Sequence, residues 1–327
     1  VQGEKIALTR APSGSRGRVW AIASGSGGVG RSTLTAALGA RLLRQGNDVC
    51  LVDADCSGPS LAALLDVEGG GVESPWNGGS LSVRRSSIHS RLTVVAGGPP
   101  TGSDPSRSAA KRLRASIEQL SADEIVVDLP AGTSDVAMDL WLGVEHPVLV
   151  TVPERMPLEA TARLLARVFA RRVEPWLARR FGATQARTFL AEGWDRCAGR
   201  PGTWMRSTAQ VAGVSADDLA NCGSSKPIHL VLNRARRGDD VDVGHALVTA
   251  AGHGLGIDLK FRAVLPEDDE SWIRARRNKG GAPGQPGDLL SAEIDDFLNR
   301  MESGRDVAQP GDWRGALKEA AQHAVGG

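Results

Sequence analysis

Short apolar runs alternate with longer amphipathic stretches along most of this chain. The runs cover residues 19–24, 49–53, 92–96, 125–129, 148–152, 228–233 and 259–265. Several contain almost no polar residue, the pattern of strands covered on both faces. Between them, residues 32–44, 106–120 and 158–180 have helical spacing. This alternation predicts an α/β fold with a doubly wound, mostly parallel sheet flanked by helices. Two stretches break the rhythm. Residues 69–80 are Gly-rich and read as a mobile loop, and 182–226 mix Gly, Ser, Trp and Cys without periodicity. The second reads as an insertion on the same sheet. The organisation predicted is a flexible basic arm at 1–17, one domain at 18–300 carrying the insertion, and a linker with a short C-terminal helix at 301–327.

The ends of three of these strands carry the chemistry. The first runs into Gly25-Ser26-Gly27-Gly28-Val29-Gly30-Arg31-Ser32-Thr33, a G-x-x-x-x-G-[K/R]-S loop with Arg31 where lysine is usual. Glycines let consecutive backbone N–H groups curl round a phosphate, and the helix that follows adds its positive N-terminus. Ser32 can offer its hydroxyl to Mg²⁺. The second strand ends in Asp53-Ala54-Asp55, two carboxylates placed to handle Mg²⁺ or an attacking water. The third ends in Asp128-Leu129-Pro130-Ala131-Gly132, which brings one more carboxylate to the metal side of the loop. The order of loop, D-A-D and D-L-P-A-G along the chain is stronger evidence than any one of them.

At these residues the chain resembles the MinD/ParA family of deviant Walker A ATPases, and within it the flagellar-placement regulators of the FlhG type. The family loop reads K-G-G-x-G-K-[ST], against Ser26-Gly27-Gly28-Val29-Gly30-Arg31-Ser32 here. Asp53-Ala54-Asp55, Asp128-Leu129-Pro130-Ala131-Gly132, Val152-Pro153-Glu154, Leu232-Asn233-Arg234 and Leu265-Pro266-Glu267-Asp268 are similar to the family's other segments. The resemblance implies a P-loop NTPase fold and a cycle in which ATP with Mg²⁺ favours a homodimer. The dimer binds a regulatory protein, DNA or a membrane surface until hydrolysis releases it. Carried over, residues Gly25 to Thr33 hold phosphates and Ser32, Asp53 and Asp128 serve the metal. Asp55 orients water, with Arg31 as the second catalytic group, and Asn233 and Pro266 flank the base. Two departures stand out. The family's first lysine, which reaches across the dimer, is Ser26, and the second is Arg31, whose planar fork is no equivalent of an ammonium. The resemblance therefore implies slow hydrolysis, or an inactive scaffold that keeps the fold.

Composition narrows the alternatives. The net charge of +1 excludes a polycation built for nucleic acid. Arg163, Arg167 and Arg171, four apart on one helix, still offer a basic face for an acidic partner or DNA phosphates. There is no tyrosine, which argues against a tyrosine kinase of this P-loop class. Cys50, Cys56, Cys197 and Cys222 form no C-x-x-C, and Cys50 reads as a buried apolar side chain. The expectation is accordingly no iron-sulfur cluster, against both a nitrogenase-reductase type and a Mrp-type carrier. No signal peptide or bilayer-spanning run is evident, which predicts a reducing cytoplasm, with a peripheral place at membrane or cell pole implied by the resemblance. The tail residues Trp313, Leu317, Ala321 and Ala324 have helical spacing but little basic charge to hold a membrane.

Overall fold

A computed structural model describes residues 17–55, 61–65, 75–77, 81, 83–86, 89–95, 107–197, 200–222, 226–267 and 289–308. Its strands are β1 (Arg18–Ala23), β2 (Val49–Asp53), β3 (Val83–Arg85), β4 (Leu92–Val95), β5 (Glu124–Asp128), β6 (His146–Thr151), β7 (Ile228–Ala235) and β8 (Leu259–Pro266). They form a mostly parallel sheet of order β3-β4-β2-β5-β1-β6-β7-β8. All five residues of β2 and all five of β5 are buried, as their apolar runs require. The only antiparallel pair described, β3 against β4, was not foreseen. Three residues ending in Arg84-Arg85 give no apolar signal, and short charged strands of this kind suit a sheet edge.

The helices are α1 (Arg31–Arg44), α2 (Leu61–Leu64), α3 (Arg107–Ile117), α4 (Asp135–Gly143), α5 (Arg155–Phe181), α6 (Ala183–Arg196), α7 (Trp204–Ala212), α8 (Ala216–Asn221), α9 (Asp240–Leu255) and α10 (Leu289–Ser303). The chain divides into two compact units, residues 1–150 with 268–296 and residues 151–267 with 297–327. None of the described helices is long and apolar enough to cross a membrane.

In the first unit, β2 lies between β4 and β5, and β1 lies between β5 and β6. Asp53 is in register with Asp128, and Asp128 with Ile22. Three strand ends therefore meet at one carboxyl edge, where open α/β sheets bind ligands.

In the second unit, residues 182–226, whose sequence shows no clear periodicity, are largely helical where described. They carry α6, α7 and α8. Gly193, which looks like a breaker, sits inside α6, where a Cβ would lie 2.4 Å from Thr208 Oγ1. Its missing side chain lets α7 pack closely. Trp204 on α7 donates Nε1–H to Leu190 O at 2.9 Å, with its ring 4.8 Å from Trp194 and 5.2 Å from Phe169. Past α10 the backbone runs beside β8, where Val307 N–H donates to Phe261 O at 2.7 Å. Arg262, buried on β8, donates to Arg305 O, and His245 Nε2 is 3.1 Å from Ala308 O. The arm at 1–16, the tail at 309–327 and most of 69–80 lie outside the described residues.

Candidate functional site

The loop between β1 and α1 is built from its own backbone upward. Ser24 Oγ–H donates to Ser26 O at 2.7 Å and closes the first turn. Gly28 and Gly30 have φ of 77° and 91°, a left-handed conformation that costs an L side chain roughly 1–2 kcal/mol. A Cβ placed on Gly27 or Gly28 would meet nothing within 4 Å, so the space beside both glycines is open. Val29 is buried and pins the loop from behind. Then α1 begins with no side-chain cap and no acidic residue in its first turn. Its first N–H groups and the positive end of its dipole are thus available to an anion.

Two neighbouring loops are tied to this one. Gly132 N–H donates to Ser24 O at 2.9 Å, Leu129 N–H to Ile22 O at 3.1 Å and Ala54 N–H to Asp128 O at 2.9 Å. These bonds fix Asp53-Ala54-Asp55 and Asp128–Gly132 next to one another at the sheet's carboxyl edge. Trp76, buried in the Gly-rich segment, donates Nε1–H to Ala54 O at 2.8 Å and holds the D-A-D turn down. Nothing in the sequence pointed to this role, beyond a lone tryptophan among glycines.

The three carboxylates differ sharply. Asp53 is fully buried, and its two oxygens accept backbone N–H groups of Asp55 at 3.2 Å and Leu61 at 3.0 Å. It organises the turn. Asp55 accepts from Arg31 Nη2 at 3.0 Å. Asp128 is fully buried; its Oδ2 accepts from the Ser32 hydroxyl at 2.5 Å, while its Oδ1 has no partner. Burial pushes the Asp128 carboxyl up to about 7. The Ser32 hydrogen bond and the Arg31 charge oppose that shift, and the Asp53 and Asp55 charges add to it.

Arg31 is itself buried, 8% exposed. Its Nη1 donates to Leu129 O and its Nη2 to Asp55. Ser26 keeps a buried hydroxyl with no partner. Thr33 is exposed on the first turn of α1. Asn233 lies on β7 and Pro266 ends β8, both in the second unit, where Arg234 takes a positive φ of 55° and Arg236 pairs with Glu267. Arg163 and Arg167 are exposed on α5, whereas Arg171 is half-buried. Cys50 is buried in β2, where burial pushes its thiol up to about 11. Cys197 is buried, Cys222 half-buried, and Cys56 lies outside the described residues. Among the described residues no three His, Cys, Asp or Glu side chains converge on a metal position. Mg²⁺ held with a nucleotide needs no such cage, because phosphates and water fill most of its shell.

Comparison with known proteins agrees with this geometry. Residues 16–174 match the ParA model, described as NUBPL iron-transfer P-loop NTPase. The chain is 32% identical over 158 residues to a cytosolic Fe-S cluster assembly factor, the NUBP2 homolog of Culex quinquefasciatus, covering 42% of this chain and 58% of that protein. It is 33% identical over 154 residues to an iron-sulfur cluster carrier protein of Deinococcus radiodurans, covering 44% and 43%. The chain thus spans about half the length of the curated relatives it matches. Among solved structures, MinD of Pyrococcus horikoshii complexed with Mg-ADP superposes with a TM-score of 0.54 at 19% identity, over 87% of this chain and 96% of that one. The fold is that of the MinD/ParA P-loop NTPases. The expectation of no iron-sulfur cluster is overturned by these relatives, which are cluster carriers and assembly factors. It rested on cysteine spacing, whereas the iron-transfer model matches residues 16–174, a span that includes the phosphate loop and the strand-end aspartates.

Proposed function

We propose that the chain is an ATP-binding, dimerising switch of the MinD/ParA type. It positions a cellular structure or partner protein from the cytoplasm and hydrolyses ATP slowly. The observation that carries this reading is the unpartnered, buried Oδ1 of Asp128, next to Ser32 at the mouth of an open glycine cradle. A buried carboxylate oxygen without a partner is costly, and a cation at that place would relieve it.

The residues fit Mg-ATP in four respects. The loop N–H groups from Gly27 to Thr33 and the start of α1 receive the phosphates. Ser32 and Asp128 would hold the cation, while Asp53 braces the D-A-D turn. Asp55 is the acceptor that orients the attacking water. Arg31 supplies positive charge near the transferred group. Bound Mg²⁺ would add positive charge on the phosphate oxygens, where the reaction builds negative charge. Ser26 offers no charge to a second copy, so dimerisation should be weaker than in relatives with lysine there. The D-L-P-A-G segment resembles the MinD-type signature, and the chain as a whole most resembles the flagellar-placement type.

The test is calorimetry with ATP, with and without Mg²⁺, on the wild type and Asp128→Ala. Wild type should bind, and Asp128→Ala should lose the Mg²⁺ dependence. No binding at millimolar ATP would sink the reading and leave an inactive MinD-like scaffold.

Iron-sulfur cluster cargo is a second reading, favoured by the ParA match over residues 16–174 and by both relatives above. Cys50, Cys197 and Cys222 do not form a cluster site together, so donors would come from elsewhere, with Cys56 the first to test. Anaerobic reconstitution with ferrous iron and sulfide should then leave a cluster absorbance that Cys56→Ser weakens. Protein that emerges colourless after desalting would remove this reading.

A further inference from the structure

Arg31 and Asp55, the two residues given catalytic parts above, are bound to one another. Arg31 begins α1, Asp55 follows β2, and both are buried, at 8% exposure each. The guanidinium uses both terminal nitrogens. One donates to Asp55 Oδ2 at 3.0 Å, the other to the carbonyl of Leu129, one residue beyond Asp128. A single side chain thus ties the start of the helix to the loops that follow β2 and β5. The planar fork of arginine suits two acceptors held at a fixed angle, as a compact ammonium does not.

This pairing sets each residue against its task. A carboxylate that accepts from a buried guanidinium has its charge offset and one oxygen occupied. A guanidinium spent on a carboxylate offers little field to a phosphate. The basic residue at this place in a phosphate loop serves the β and γ phosphates. A terminal phosphate carries more charge than one carboxylate and accepts through three oxygens, so it competes well for the fork.

Resting on the nucleotide reading above, we infer that the Arg31–Asp55 pair is a latch that holds the empty site inactive. The terminal phosphate of a nucleoside triphosphate opens it by taking Arg31 from Asp55, which frees the carboxylate for water. The latch follows from having arginine at this position: the substitution that weakens the loop also supplies its lock.

Calorimetry with Mg-ATP and Mg-ADP on four proteins tests this: wild type, Asp55→Asn, Arg31→Ala and the double variant. Removing the carboxylate should tighten ATP binding about tenfold, the scale of one charge-assisted hydrogen bond. ADP should gain less. In the Arg31→Ala background, Asp55→Asn should change nothing, because the latch has already lost its other half. Three results would overturn the latch: unchanged or weaker ATP binding in Asp55→Asn, an equal gain for ADP, or the same gain without Arg31. The last would mean that Asp55 merely repels phosphate. Should Asp55→Asn fail to fold by circular dichroism, Asp55→Ala takes its place with the same expectations. No ATP binding by any of the four would overturn the nucleotide reading and the latch together. Binding by all, without the gain, overturns the latch alone.

Discussion

Strand β5 begins and ends in a buried carboxylate, and the two could hardly be treated more differently. Glu124, at the start, takes Arg18 on Oε1, with Nε at 2.7 Å, and the Trp20 indole N–H on Oε2 at 2.8 Å. His146 stacks on Trp20, ring centroids 4.2 Å apart. Asp128, at the other end, has one oxygen on Ser32 and one on nothing. Burial raises both carboxyl groups above their usual range. Glu124 offsets that cost on both oxygens with partners from its own chain; Asp128 does so on only one. A polar group closed off by its neighbours belongs to the fold, whereas one left half-satisfied in a buried place points to a ligand.

The contrast can be broken by substitution. Glu124→Ala strips the Trp20 N–H of its acceptor and leaves a gap, which should cost about 3 kcal/mol in urea unfolding. ATP affinity should stay unchanged; a parallel loss would mean that the two ends of β5 are coupled. Asp128→Asn should act in the opposite way. It should stabilise the empty protein at pH 8 while weakening Mg²⁺-dependent ATP binding by about 10–100-fold.

Acidity sharpens the same point. In the unfolded chain Asp128 loses its proton near 3.8, and in the empty folded protein near 7. The folded state therefore holds that proton more tightly, so the contribution is fully present below pH 3.8 and drains away as pH rises to about 7. Melting temperature of the empty protein should fall across that window. Asp128→Asn should remove this component of the slope, and Mg-ATP should reduce it. A slope identical in Asp128→Asn would assign it to other groups, Glu124 among them.

Smaller effects probe the loop. Ser26→Lys with Arg31→Lys should raise the steady-state ATPase rate about tenfold and ATP-dependent dimer mass by light scattering, each single change doing less. Wild type as fast as the double variant would show that another residue replaces the lysines. Least of all, Trp76→Phe keeps the ring but removes the bond to Ala54 O, which should cost about 1 kcal/mol of stability.

Much of this was legible in the sequence, for physical reasons. The apolar runs that became β1, β2, β5, β6, β7 and β8 are covered on both sides, so hydrophobicity alone marks them. The phosphate loop announces itself because Gly28 and Gly30 occupy conformations that other residues avoid. What stayed hidden depends on neighbours distant in the chain. Gly193 reads as a helix breaker until Thr208 is seen against it. Asp53 and Asp128 look alike as strand-end acids, yet one has both oxygens bound across its own turn and the other keeps one buried oxygen unpartnered. Arg31 reads as a phosphate ligand, and only the fold reveals that Asp55 reaches it first. The Mrp-type carrier was within reach, but the missing C-x-x-C was allowed to decide against it.

The strip of backbone at residues 304–308 has one more effect. An outermost strand presents a row of unclaimed donors and acceptors that another chain can annex, the usual route to fibrils and swapped assemblies. On β8, Val307 has taken the carbonyl of Phe261, and Arg305 and Ala308 are fastened on either side of it. The chain thus shields this margin of β8 with its own polypeptide. A second molecule meeting β8 at Phe261 would find that carbonyl already taken, which should hinder strand addition there.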